Sequence, residues 1–413
     1  MRGEMRIDGF ATKATLLLVS SLTVMAGTVI APALPSIGEH FSGIEYSGLL
    51  TRLVLTLPAL FIVLAGPLTG WFLDRKGRLR LLIPAMLLYA IAGSSGLYLD
   101  SIWTILAGRA LLGVAVAGIM TSATTLIADY YKGPERSQFM GWQAAFMNFG
   151  GIVFLTAGGG LAEMGWRWPF IIYLSSILLV PLAYCSLTEP VREKSIPDIS
   201  ERSNHINTHI RLLAPIYAIA FLGMLIFYFI PLQIPFYLNE ISGSGPAASG
   251  IAIAVVTLFA MLTSLGYGRI KKYMGYVLIF GLNFGLMGAG YMIIGFGTGY
   301  VSVLTGLAVS GLGTGLMFPN LNVWLTSEIP AIMRGRAVGG LTTAIFMGQF
   351  ISPVAGQPLT GFFGTGALFI GTGVFMLLFA VVLTLLKNVI RTFMQPAPNF
   401  TEKGEEVPVS TEG

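Results

Sequence analysis

Charge is scarce in this 413-residue chain: Asp, Glu, Lys and Arg supply 10% of it. Soluble domains carry roughly 25%. Hydrophobic residues make up 54%, which excludes an ordinary soluble domain and indicates an integral membrane protein. Cysteine is almost absent. The one copy, Cys185, lies in an apolar segment, so no disulfide can form within the chain. No basic run interleaved with aromatics occurs outside the apolar segments, so the formal net charge of +5 does not describe a nucleic-acid surface. Catalytic signatures are missing too, namely HExxH, GxSxG and a carboxylate pair embedded in an apolar run. Gly311-x-Gly313-x-Gly315 sits within an apolar run, where it cannot serve as a nucleotide loop. Nor is there a P-loop to power an ATP-driven pump, or an added soluble domain of the kind a membrane sensor carries. An enzyme is not expected, and neither is a cofactor or a metal.

What is present is a series of long apolar runs. A helix needs about 20 apolar residues to cross a hydrocarbon core. Twelve runs suffice, at 12–35, 47–71, 80–98, 102–126, 138–160, 168–187, 212–236, 247–268, 276–296, 301–325, 337–359 and 366–388. They are continuously apolar rather than alternating, so they read as helices and not barrel strands. The first run follows Arg2, Arg6 and Lys13 but is too long for a secretory signal, so it counts as a span. The expected fold class is an all-α polytopic membrane protein.

Of the 24 Lys and Arg residues, 21 fall in the N-terminal tail, in alternate loops or in the C-terminal tail. By the positive-inside rule that side is the cytoplasm and both termini are cytoplasmic. Arg52, Arg109 and Arg167 are the exceptions. The expected organisation is a six-helix bundle over 1–190, a cytoplasmic linker over 191–211, a second bundle over 212–390 and a disordered tail over 391–413. His205 and His209 in the linker have the i, i+4 spacing of a metal pair, but no third ligand type gathers near them, so they read as solvated.

The two bundles repeat one another. A shift of 198 residues without gaps superposes Gly70 on Gly268, Gly77 on Gly275, Gly113 on Gly311, Arg136 on Arg334, Gly150 on Gly348 and Ala157-Gly158 on Ala355-Gly356. Pro32 and Pro35 correspond to Pro231 and Pro235 at a slightly larger shift. Six is even, so the two six-helix repeats run parallel, related by an axis along the membrane normal.

After the second run comes Gly70-x3-Asp74-Arg75-x-Gly77-Arg78-x-Arg80, with five charges in the seven residues from Asp74. With the twelve spans, the central linker and the parallel repeat, this elbow resembles the major facilitator superfamily over residues 12 to 390, in particular its twelve-helix drug and metabolite proton antiporters. The second copy, Gly268 to Gly275, keeps the glycine spacing and basic residues but has Lys272 where the first has Asp74. Gly70 suits close approach of a neighbouring helix, and Gly77 a turn geometry closed to other residues. The resemblance implies a gate of Gly70, Asp74, Arg75, Gly77 and Arg78, in which Asp74 latches the cytoplasmic side shut by accepting hydrogen bonds from arginines and a helix N-terminus of the other half. The plainer alternative is that the basic residues only enforce topology.

Arg109 stands inside the fourth run, four residues before Gly113. A charge there costs at least about 2.5 kcal/mol, so it either faces the bundle interior or snorkels from near the helix end. The family's fourth-span motif has this arginine and glycine, with glutamine where this chain has Leu112, and implies proton coupling through Arg109 together with Asp74. Drug antiporters of the family also carry a glycine-rich fifth span. Here Gly150-Gly151 and Gly158-Gly159-Gly160 keep part of it, with Leu155-Thr156 in place of the usual Gly-Pro. None of the 19 acidic residues lies mid-span, which leaves the proton carrier open.

Polar and aromatic residues within the spans are the candidates for a central cavity: Gln143, Phe146 and Asn148, Tyr228 and Gln233, Asn320, Asn322 and Trp324, and Phe346 and Gln349. Each buried amide is either a cavity residue or an interhelical hydrogen bond. Together they describe a neutral, aromatic-rich cavity suited to an amphiphilic or weakly cationic organic solute. The expected function is secondary active transport by a monomer of the plasma (bacterial inner) membrane, most simply proton-coupled efflux of a drug or metabolite. A proton-coupled nutrient importer is the alternative within transport.

Overall fold

The computed structural model describes residues 9–190, 206–329 and 334–386. Most of the linker, including His205, and the tail from residue 387 lie outside the described residues. Among the described residues, twelve helices are long and apolar enough to cross a membrane: Phe10–His40, Ser47–Lys76, Arg78–Leu97, Ile102–Tyr130, Gly133–Ala162, Trp168–Ser186, Leu213–Ser242, Pro246–Tyr273, Tyr276–Gly295, Tyr300–Ser327, Arg334–Phe363 and Thr365–Leu385. They are the first to twelfth spans below. No strand occurs among the described residues. Several spans extend a turn or more past the apolar runs, because polar residues at the membrane edge can continue a helix whose centre is anchored by packing.

Breaks in the helices follow proline. The first span is helical over Phe10–Thr28, passes through a 3-10 turn at Ala31–Ala33 and resumes at Leu34. The seventh breaks at Tyr228, between Ile206–Phe227 and Phe229–Ser242. Pro32 lies within the first break and Pro35 just beyond it, while Pro231 and Pro235 lie beyond the second, each removing a helix hydrogen-bond donor.

The repeat seen in the sequence recurs in the packing. A β-carbon on Gly113 of the fourth span would strike the Pro58 carbonyl oxygen of the second. On Gly311 of the tenth span it would lie 2.6 Å from the Val256 carbonyl oxygen of the eighth. Gly108 and Gly306 repeat the pattern against the Ala92 and Gly290 carbonyls, at 3.2 and 2.6 Å. Each glycine lets one helix lie on a neighbour's backbone, the close contact that replaces hydrophobic burial inside a bilayer.

An even number of spans puts the two chain ends on one face, here the terminal face, with the loops after the second, fourth, sixth, eighth and tenth spans. The two halves touch mainly through the second, fifth, eighth and eleventh spans. On the opposite face they are sealed. A β-carbon on Gly159 would lie 2.8 Å from the Pro246 carbonyl, one on Gly250 2.6 Å from the Leu155 carbonyl, and one on Gly48 2.6 Å from Gln357 Nε2. Nearer the terminal face, Gly70, Gly141, Gly268 and Gly339 on the same four helices have nothing within 4 Å of that position. The halves therefore meet on the opposite face and part on the terminal one.

Candidate functional site

The elbow between the second and third spans has the backbone expected of it. Gly77 adopts φ +107°, strained for any other residue, and its amide closes the second span on Leu73. Arg78 pairs with Asp129 at the end of the fourth span, Nε to Oδ2 2.9 Å. The Arg75 guanidinium lies 4.3 Å from the Trp71 ring centroid. Beneath the turn lies Glu189, three residues past the end of the sixth span. The Arg78 and Leu79 amides donate to the Glu189 carboxylate at 2.6 and 2.8 Å, so an anion caps the N-terminus of the third span. Asp74 is exposed and has no partner among the described residues. Among the described residues none comes within 4 Å of a β-carbon position on Gly70, so the close helix contact expected there is not made by them while the terminal face is parted.

Arg109 is fully buried, with 0% of its surface exposed, and so does not snorkel. Its Nε donates to the Val54 carbonyl at 3.0 Å, and Nη2 donates to the Ala26 carbonyl and the Tyr173 hydroxyl at 2.9 Å each. The ring of Tyr173 flanks the guanidinium at 4.9 Å. One cation thus joins the fourth span to the first, second and sixth, and Nη1 is left buried without a partner. Tyr173 was not anticipated. It lies in the 3-10 turn Trp168–Leu174, where helical periodicity gives no register for it.

The expected cavity residues separate into two groups. Gln143 donates to the Ser20 hydroxyl at 2.8 Å, tying the fifth span to the first. Where the halves converge, a β-carbon on Gly27 would lie 3.1 Å from the Tyr228 hydroxyl and 3.6 Å from Gln349 Nε2, so residues of the first, seventh and eleventh spans meet there. Phe346 packs against the core one helical turn before Gln349, and Asn148 bonds its own helix at the Ala144 carbonyl, as Phe146 stands half-buried beside it. Gln233 is buried deeper on the sealed side and accepts a 2.8 Å hydrogen bond from Arg52 Nη2. The tenth-span residues are placed elsewhere. Asn320 accepts from Tyr267 and donates to the Tyr276 carbonyl, and Trp324 stacks on Tyr276 at 5.8 Å, so both are held among helices of one half. Asn322 is exposed and bonds its own helix at Phe318. The amide count in a span does not say which side of the helix faces the partner half.

Several glycines of the fifth and eleventh spans have packing partners. Gly150 and Gly151 lie against Ser21 and Val24 of the first span, Gly158 against the Val29 carbonyl, and Gly348 against the Phe221 carbonyl of the seventh. On the opposite face Glu163 reaches across to accept from the Ala247 amide at 2.9 Å, at the N-terminus of the eighth span. Arg167, the basic residue of an opposite-face loop, is neutralised locally by Asp100 at 2.6 Å.

The family model for the Major Facilitator Superfamily matches residues 16–339. The chain belongs to that superfamily. Among relatives of this transporter, Multidrug resistance protein 1 of Bacillus subtilis is 25% identical over 352 residues, covering 84% of this chain and 89% of the relative. The bacillibactin exporter of Bacillus subtilis is 22% identical, covering 81% and 86%. Of solved structures, a bacterial homologue of the human lysosomal transporter Spinster, in an inward-facing and unoccupied conformation, superposes with TM-score 0.76 at 17% identity over 96% of this chain and 100% of that one. The fold is that of a multi-pass major facilitator transporter, and the family is one of transporters rather than enzymes.

Proposed function

We propose that this transporter exports a small organic, amphiphilic solute in exchange for protons, by rocking its two halves about the convergence at Gly27. What carries the reading is that convergence. A tyrosine and a glutamine of one half meet a glycine of the other, with no charge of their own. Such a lining accepts apolar and hydrogen-bonding surface together. Relatives that span most of the chain are named Multidrug resistance protein 1 and bacillibactin exporter, and the second name supports the outward direction. The positive-inside bias assigns the terminal face to the cytoplasm, so the present conformation receives cargo from inside.

In this cycle Asp74 is the residue that engages the other half once the terminal face closes, and its exposure here is that of a released latch. Arg109 carries the coupling, because its buried Nη1 has donor capacity that can be exchanged as the first and second spans move. Everted membrane vesicles test the exchange and the latch. With an acid interior they are expected to accumulate a fluorescent amphiphilic dye and to lose protons as they do so. Dye and protons moving in the same direction would instead identify a symporter, and uptake indifferent to the pH gradient would remove proton coupling. Asp74→Asn should lower turnover at least tenfold at unchanged expression, and wild-type turnover in that variant would remove the latch.

A further inference from the structure

The cation that the transport reading leaves unused is Arg52. It stands in the second span on the sealed side and is only 7% exposed. Among the described residues it forms no ion pair. Its guanidinium lies 4.3 Å from the Phe236 ring centroid, and Nη1 donates to the Gly48 carbonyl at 2.9 Å. The remaining edge is the one that matters. Nη2 donates to Gln233 Oε1 at 2.8 Å, whereas the adjacent Nε, on the same edge, is buried without a partner. Gln233 is itself fully buried, and its Nε2 is also unpartnered.

An amide offers a single acceptor oxygen and fills half of that fork. A carboxylate offers two oxygens at the spacing of the Nε and Nη2 hydrogens and would fill the whole fork once Gln233 gives way. A buried guanidinium without a counter-charge is costly inside a membrane protein, and the missing charge can be brought by a ligand. Arg52 belongs to one half and Gln233 and Phe236 to the other, so the site lies on the route that opens when the opposite face parts. We propose that Arg52 binds a carboxylate of the transported solute, and that Gln233 takes the place of that carboxylate while the opposite face is sealed. This rests on the transport reading and narrows its substrate class to amphiphilic organic anions, against the weakly cationic solute suggested by the amide and aromatic content alone.

The test measures binding, so it stands apart from the vesicle assay. Purified wild type, Arg52→Gln and Arg52→Lys are titrated with naphthalene-1-acetate and its neutral isostere naphthalene-1-acetamide, following tryptophan fluorescence and thermal unfolding. Wild type is expected to bind the acid at least tenfold more tightly than the amide, equivalent to about 1.4 kcal/mol. Arg52→Gln should abolish that preference with amide binding unchanged, and Arg52→Lys should keep only part of it because an ammonium lacks the fork. Should Arg52→Gln not fold, Gln233→Leu decides the matter. Removing the placeholder should tighten acid binding severalfold, whereas a mere strut between the halves would leave the acid-to-amide ratio of wild type in place. Acid and amide binding equally to wild type, no binding of the acid, or a preference that survives Arg52→Gln would each overturn the proposal. Selective acid binding in a protein that moves no solute would retain the anion site and remove the transport reading instead.

Discussion

A single guanidinium ties together four helices of the N-terminal half. Arg109 satisfies two backbone carbonyls and a phenol at once, so truncating it removes three charge-assisted contacts, while losing Tyr173's hydroxyl removes two bonds, the one it accepts from Arg109 and the one it donates to the Ala26 carbonyl at 3.2 Å. Interhelical hydrogen bonds in bilayers average about 0.6 kcal/mol. Tyr173→Phe should therefore lower stability by roughly twice that amount, and Arg109→Ala by about three times it, read from thermal unfolding in detergent. A larger loss from Tyr173→Phe would mean that Arg109's two carbonyl contacts contribute less than the one bond from Tyr173 to Ala26. The position of Arg109 in a span was legible, because a charge in an apolar run has to be hidden. Its partners were not, since backbone carbonyls carry no sequence signature and Tyr173 is 64 residues away in an irregular turn.

At the scale of the element, the turn between the second and third spans shows how a motif depends on a residue outside it. Gly77 has both a left-handed backbone and the Glu189 carboxylate against it; a β-carbon would lie 2.7 Å from Oε1. Gly77→Ala is expected to cost about 1–3 kcal/mol in backbone strain, and to displace Glu189 as well. Glu189→Gln keeps the shape and loses only the charge at the helix N-terminus, roughly 0.3–1 kcal/mol. Unfolding midpoints of the two variants should fall in that order, and a larger effect from Glu189→Gln would reverse the account. The motif's glycine was readable from spacing alone. Its anion was not, because the sixth span returns to the third only in the folded bundle. Asn320 and Trp324 teach the same lesson: an amide or an indole in an apolar run marks a buried contact, and the neighbouring helices decide whether that contact is cargo or scaffold.

For the whole molecule, twelve spans and their parallel repeat were plain in the apolar runs and in the 198-residue offset, since bilayer thickness sets helix length. Which face is sealed could not be read from the sequence, because the same sequence must serve both states of the cycle. The seal predicts its own arrest. A β-carbon on Gly151 would lie 3.8 Å from Thr257 Cγ2 across the two halves. In a Cys185→Ser background, Gly151→Cys with Thr257→Cys joined by a short thiol cross-linker should abolish transport, and reduction should restore it; activity in the linked protein would show that the halves do not part at this level. One consequence reaches beyond the cycle itself. Gly9 and Leu386, the first and last described residues, sit on the face that opens and closes, on separate halves. A donor and an acceptor fluorophore placed at these two positions would convert each closure into a change of colour, so the molecule is already laid out as an optical reporter of its own occupancy.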